Sequence, residues 1–397
     1  MTLEKTTLRL GYIPLTDCLP LVVAQEQGFF AAHGLTVELC CEASWANIRD
    51  KLIVGHLDGA QVLAPMLLAA SLGLGGLRKP MLTAFSLGLN GNGITVSNRL
   101  FAELRQHSVS DSALDAAQAL ATVVHSRTAN DQDPLVIATV FPFSSHNYLL
   151  RYWLSAAGID PTRDIKLVAL PPQQMVDNLR LEHIDAFCVG EPWNSCAVAM
   201  GLGRCLVTGY EIWQNGPEKV FGVTEQWHEE NPNTHAAVLR ALDQAAAWIE
   251  NNLSAALQLL DRGHYVEVPL EWLAQPLTGD LRVGLAQNRR DAESFHVFHR
   301  YMANFPWRSQ AQWFLQQMQR WRQIPADTDI AAVAARVYRA DFYRDVFEST
   351  RSLPLLDMKP EGEHESAWTM AGTKGDVTIG PDRFIGGAIF QPLQSDS

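Results

Sequence analysis

Five short stretches of the chain combine hydrogen-bond donors, an aromatic ring or a cation with residues that end a strand or open a helix. Glu42-Ala43-Ser44-Trp45 puts an indole at a helix start that Ser44 is suited to cap. Asn90-Gly91-Asn92-Gly93 is a tight polar turn, because Asn-Gly pairs tolerate positive φ. Phe141 to Asn147 opens a helix with two hydroxyls and the His146 imidazole, and the N–H groups of such a start attract anions. Val189-Gly190-Glu191-Pro192-Trp193 ends a strand on a glycine that lets a ligand approach the backbone, and Pro217-Glu218-Lys219-Val220 supplies one cation. Each stretch has a plainer reading too: a packing Trp, an exposed His, a simple turn, a solvated Lys. Taken together, several donors around one cation suit a small monovalent oxyanion better than a sugar or a dication.

No nucleophile elbow, P-loop, dinucleotide fingerprint or zinc-protease motif accompanies them, so the pattern is one of binding and not of turnover. His296 and His299 stand at i, i+3 of an expected helix but lack a carboxylate pattern, and read as surface or packing residues in place of metal ligands. No metal and no cofactor is expected. The six cysteines include the adjacent Cys40 and Cys41 and no C-x-x-C, which favours free thiols over a disulfide framework. Forty-three acidic against 31 basic residues give a net charge of −12, which repels a phosphate backbone and argues against direct nucleic-acid binding. It also means that an anion must be held locally, against the field of the whole protein.

The elements that would position these residues form a repeat. Leu8–Pro14 reads as a strand, Leu19–His33 as a helix, Leu35–Cys41 as a strand, Trp45–Val54 as a helix and Leu57–Val62 as a strand. The order recurs as strand Leu135–Val140, helix Ser145–Ala157, strand Ile165–Leu170, helix Gln173–Arg180 and strand Ile184–Val189. Aligning Asp58 with Asp185 pairs Leu57 with Ile184, Val62 with Val189 and Pro65 with Pro192. Two α/β lobes follow, with a cleft at the carboxyl ends of their strands. The expected division is 1–94 for the first part of lobe 1, 95–212 for lobe 2, 213–350 for the return to lobe 1 with C-terminal helices, and 351–397 for an extended tail that either wraps the body or stays free. Asp111 to Asp133 reads as a surface helix and loop, Asn231–Leu260 as helical, and Ala311–Trp321 as a helix with a core stripe. The uncharged run Gly59 to Leu77 is interrupted by Pro65 and three glycines and reads as buried strand, turn and helix, not a membrane span. Met1 to Leu10 carries Glu4, Lys5 and Arg9 and no secretory apolar core, so the chain as it starts reads as cytoplasmic.

The segments GYIPLTDCLPLVVAQEQGFF, EASWANIRDKL, LDGAQVLAPM, FPFSSHNYLLRYWL, PPQQMVDNL, IDAFCVGEPWN and PEKVFGVTEQW resemble the nitrate- and bicarbonate-binding proteins of the NrtA/CmpA type, and among them the cytoplasmic NasS-type nitrate/nitrite sensors. The similarity runs from about residue 8 to 230. It implies a type II periplasmic-binding-protein fold with the ligand cleft at the hinge between two lobes. It implies nitrate or nitrite as ligand, bound by Trp45 of the ASWAN motif, Asn92 of the NGN turn, His146 of the FPFS-x-HNYLLRYW motif, Gly190 of CVGEPW and Lys219 of PEKV. Trp45 and His146 would donate N–H bonds, Gly190 would give backbone access and Lys219 would neutralise the charge. For a NasS-type sensor the resemblance further implies a partner, an ANTAR-domain RNA-binding antiterminator of the NasT type, sequestered without ligand and released with it to control nitrate-assimilation genes. The alternative is the substrate-binding component of a nitrate or bicarbonate ABC transporter. The broader fold also contains thiamine-pyrimidine synthases, whose CCCFG motif this chain lacks.

Overall fold

Apolar runs such as Ala60–Leu63 and Ala186–Val189 are too short for helices and offer no polar face to water, the condition of strands covered on both sides. The computed structural model, which describes residues 2–289 and 294–393, builds them into two mixed sheets. In chain order the strands are β1 (Thr7–Tyr12), β2 (Thr36–Cys41), β3 (Gly59–Leu63), β4 (Met81–Ser86), β5 (Leu89–Asn90), β6 (Asn92–Ser97), β7 (Val136–Thr139), β8 (Lys166–Ala169), β9 (Ala186–Gly190), β10 (Gly203–Thr208) and β11 (Lys219–Thr224). One lobe has the order β2-β1-β3-β11-β4. The other has β10-β6-β9-β7-β8, extended beside β10 by the short strands β12 (Arg282–Val283) and β13 (Asn288–Arg289).

The internal repeat is carried into the pairing. β1 lies parallel between β2 and β3, as β7 lies parallel between β8 and β9. Leu10 faces Gly59 in the first lobe, and 127 residues later (Leu10 to Ile137, Gly59 to Ala186) Ile137 faces Ala186 in the second. The duplicated aspartates do the same work. Asp58 accepts the backbone N–H of Arg9 at 3.0 Å, Asp185 that of Val136 at 2.8 Å, and each is also paired with a cation, Lys5 or Arg99. A carboxylate closing the N-terminal end of the central strand is thus what the sequence repeats.

Two segments cross between the lobes side by side. Leu87 donates its N–H to the Lys219 carbonyl at 2.8 Å, and Asn90 to that of Gly216 at 3.0 Å. This antiparallel contact sets the outgoing segment against the returning one, and β6 then enters the second sheet antiparallel to β9, with Asn92 opposite Gly190. β6 therefore starts at Asn92, three residues ahead of the expected start of lobe 2 at residue 95. Residues 282–289 also join the second sheet, although the sequence reading returned 213–350 to the first lobe.

Three further expectations change. The helix over Leu19–His33 is two, Leu19–Glu26 and Phe29–Ala32, because Gly28 takes φ 73° between them. The helix over Asn231–Leu260 breaks at Asn252 into Pro232–Asn251 and Leu253–Arg262. His296 and His299 do not share a helix: His296 pairs with Asn90 in a two-residue ladder (β14, His296–Val297), and His299 lies past its end beside Asp243 and Arg351. Among the described residues no group of three or more His, Cys, Asp or Glu gathers in metal-binding geometry.

Gly59 to Leu77 is β3 followed by the buried helix Ala64–Leu72, and among the described residues no helix is long and apolar enough to cross a membrane. All six cysteines are free thiols, four of them buried. The tail wraps the body through residue 393, the last four residues of the expected segment lying outside the described ones. Phe384 packs between Tyr152, Trp213 and Trp313, and a buried Lys359 bridges Glu361 at 2.5 Å and Asp382 at 3.3 Å.

Candidate functional site

The five residues singled out in the sequence converge where the crossing segments meet the two lobes. Ser44 caps the helix Trp45–Ile53 by accepting the Asn47 N–H at 3.2 Å, which fixes Trp45 in the first turn. Ser144 caps Ser145–Ala156 in the same way at 3.0 Å and donates back to the Phe141 carbonyl at 2.7 Å, so His146 also sits in a first turn. Lys219 opens β11, and its ammonium lies 5.4 Å from the Trp45 ring centre. Asn92 and Gly190 face each other across the second sheet. Each of the five is buried.

The surroundings of Lys219 differ from the single free cation of the sequence reading. Its Nζ bonds to Asp17 Oδ2 at 2.8 Å and to the carboxylate of its own neighbour, Glu218. Glu218 is the hub. Besides Lys219 it takes the Ser145 hydroxyl and the Asn92 amide, the latter at 3.0 Å, and His146 Nε2 pairs with Oε1 at 2.7 Å. Burial alone would raise the Glu218 carboxyl, but His146 and Lys219 against it hold it below the usual carboxylate range. Asp17 goes the other way: burial and the Glu218 charge raise it in spite of Lys219. Lys219 is raised above the ordinary lysine value, its two carboxylates outweighing burial.

Asp17 is in turn held by Gln61, whose amide Nε2 donates to Oδ1 at 2.5 Å while its Oε1 accepts the Ile13 N–H at 2.9 Å. The 13–18 loop is bound to the other lobe as well, since Thr16 donates its N–H to the Glu191 carbonyl at 2.8 Å. A Cβ placed on Gly190 would stand 3.6 Å from Asp17 Oδ2, which sets Gly190 in the same ring.

Within this ring several buried polar atoms lack a partner among the described residues: Trp45 Nε1, His146 Nδ1, Asn92 Oδ1 and the Thr16 hydroxyl. Buried polar atoms are normally satisfied, and a cluster of unpaired donors beside an ammonium is the arrangement an anion would complete. Asn92 takes a different part from the one expected, because its amide Nδ2 is spent on Glu218.

Asp17, Gln61, Ser145 and Glu218 were not singled out as ligand groups, although all four lie inside the quoted segments and Ser145 adjoins His146. The available signal was Gln61, a polar residue within an all-buried apolar strand, which requires a buried partner.

Residues 1–259 match the model of the NMT1-like family. The chain belongs to the NMT1-like family. Within it, the nitrate/nitrite binding protein NrtA of Synechocystis sp. is 35% identical over 356 residues, spanning 87% of this chain and 77% of that protein. The nitrate import ATP-binding protein NrtC of the same organism is 40% identical over 371 residues, 92% of this chain but 52% of its own length, so this chain spans about half of NrtC. The crystal structure of the periplasmic nitrate-binding protein NrtA from Synechocystis superposes with a TM-score of 0.84 at 30% identity, covering 99% of this chain and 97% of that one. This member of the NMT1-like family accordingly has the α/β periplasmic-binding-protein fold, with two lobes of mixed sheets.

Proposed function

We propose that this chain is the substrate-binding unit of an ABC-type importer and that its ligand is nitrate, with nitrite the next candidate. The observation that carries the reading is the pair of unpartnered buried ring nitrogens, Trp45 Nε1 and His146 Nδ1, gathered near the Lys219 ammonium. Similarity to NrtA, named for nitrate and nitrite, supports the same ligand. Trp45 and His146 donate to the oxygens of a flat anion, the backbone around Gly190 lets it approach, Lys219 supplies the positive charge, and Asn92 fixes Glu218. The lobes close on the ion and exclude water, which strengthens each contact. The chain binds and does not turn over its ligand.

A second reading is a cytoplasmic sensor that holds an ANTAR-domain antiterminator and releases it on binding nitrate. It draws on the net charge of −12, which complements a basic RNA-binding partner without binding nucleic acid itself.

Isothermal calorimetry with nitrate, nitrite and bicarbonate tests the ligand. One nitrate bound per chain, weakened by about 1.5–3 kcal/mol in Trp45→Phe through loss of one hydrogen bond to a charged group, is the expected result. Heat from bicarbonate alone would overturn it. Gel filtration with an ANTAR protein separates the two readings: a complex that nitrate dissolves belongs to the sensor, and its absence to the importer.

A further inference from the structure

Lys219 is the one ammonium within the ring, and it is already committed twice. Asp17 and Glu218 both bond it, so two carboxylates face one ammonium inside a site closed to water. Whether His146 is neutral or charged, an added anion brings one further uncompensated negative charge into that space, and burying unpaired charge is among the most costly steps available to a protein. Something must therefore change its charge when the anion enters.

The two carboxylates are not equivalent. Glu218 is fixed by four neighbours, Lys219, His146, Ser145 and Asn92. Asp17 has only Lys219 and Gln61. It sits on the short turn Thr16–Cys18 of the first lobe, and its Oδ2 would stand 3.6 Å from a Cβ placed on Gly190. Gln61 can serve a protonated Asp17 as well as a charged one, since Oδ1 goes on accepting its amide while the proton sits on Oδ2, the oxygen that Lys219 gives up.

We propose that Asp17 is a functional residue of the anion site: on binding it takes one proton from solvent, becomes a neutral carboxylic acid and gives up Lys219, whose ammonium then pairs with the anion. One anion and one proton enter together. No bond other than the O–H of Asp17 forms, and Lys219 stays protonated throughout.

The other titratable groups around Asp17 agree with this assignment. Glu218 and Lys219 face it from the returning segment and β11, His146 from its helix start, Cys18 from its own turn, and Glu191 stands one backbone hydrogen bond away from Thr16. His296, behind Gly91, is pushed down to about 3 by burial and by Lys219, so it contributes no positive charge at neutral pH. Burial already favours the neutral form of Asp17, whereas its neighbours favour the charged form of Glu218.

The proposal rests on the nitrate-binding reading, and calorimetry separates the two. With the full chain titrated by nitrate in two buffers of different ionisation enthalpy, the difference in heat gives the protons taken up. The expected result is close to one proton per nitrate, and an affinity that strengthens as pH falls, approaching tenfold per pH unit in the linked range. Asp17→Asn binds nitrate with no proton uptake and no such pH dependence. No heat in either buffer defeats the nitrate reading itself. Binding with identical heats in both buffers keeps that reading and overturns the proton step, and uptake that persists in Asp17→Asn removes the role from Asp17. If Asp17→Asn does not fold, infrared difference spectra of the unsubstituted protein labelled with carbon-13 aspartate decide: a labelled carboxylic-acid band that grows with nitrate supports the proposal, and none refutes it.

Discussion

At the scale of single residues, the site places carboxylates where water cannot reach them and sorts them by their partners. Glu218 is held charged by His146 and Lys219. Glu191, one residue beyond Gly190, has no cation among the described residues: its Oε2 accepts the Ser195 N–H at 3.1 Å and its Oε1 finds no hydrogen bond there. Burial pushes Glu191 up to about 7 from the usual 4.5. Because the folded state holds this proton more tightly than the unfolded chain, stability is undiminished below about pH 4.5 and falls as pH rises toward 7. A shift of that size corresponds to roughly 3 kcal/mol by pH 8. Glu191→Gln keeps the shape and the Ser195 contact and removes the charge. Denaturant titrations at pH 5 and pH 8 should therefore show the variant gaining stability over the parent chain at pH 8 and matching it at pH 5; equal differences at both would contradict the argument. The sequence disclosed the ring's donors through motifs, since Trp45, His146 and Lys219 sit in distinctive surroundings. It was silent on Asp17 and Gln61 because a carboxylate or an amide acquires meaning only from its partner across the fold, here 202 and 44 positions away from Asp17.

Elements position these residues through register, and register was partly legible. Asp58 and Asp185, with the strands they close, announced the repeat in sequence and kept the same pairing in space. Interruptions of one or two residues were not legible: Gln27-Gly28 and Asn252 each divide an apolar periodicity that continues on both sides, so periodicity alone read through them. His296 and His299 failed for the opposite reason, a helical spacing in a segment whose course is set by pairing to Asn90. That pairing depends on Gly91. Its φ is 88°, and a Cβ there would stand 2.0 Å from His296 Cε1. Gly91→Ala must therefore strain the turn and displace the ring, with the β5/β14 ladder and the start of β6 at Asn92 shifting together. We expect a loss of about 1–3 kcal/mol in unfolding free energy, comparable to overpacking elsewhere in protein cores. Nitrate affinity should fall along with it, because Asn92 and Gly190 are register partners. Unchanged affinity in a destabilised Gly91→Ala would detach the ladder from the site.

At the scale of the whole molecule, the two lobes are joined from outside the cleft as well. Helix Arg308–Arg320 packs on Ala64–Leu72 of one lobe and on Ser145–Ala156 of the other. The tail then seats Phe384 against Trp313 on that helix, Tyr152 of the second lobe and Trp213, which precedes the returning segment, at ring-centre distances of 5.6, 5.4 and 4.7 Å. The sequence left open whether the tail would wrap or stay free, since its Gly- and Pro-containing composition has no periodicity, and only the aromatic cluster decides between them. The strap and the site touch different surfaces, so their energies should separate. Phe384→Ala removes a buried ring from a tight cluster at a cost of about 3–5 kcal/mol and should lower the melting temperature by several degrees, with and without ligand. The rise in melting temperature that nitrate produces should survive, because ligand stabilisation depends on concentration and affinity alone. Lys219→Met should show the reverse pattern in that ligand response: the nitrate-induced rise disappears, whatever the loss of a buried counter-ion does to the unliganded chain. Thermal melts of both variants across a nitrate series measure all four quantities. If Phe384→Ala abolished the nitrate response while remaining folded, the tail would have to be counted as part of the binding site and not as the strap that holds the lobes' outer faces together.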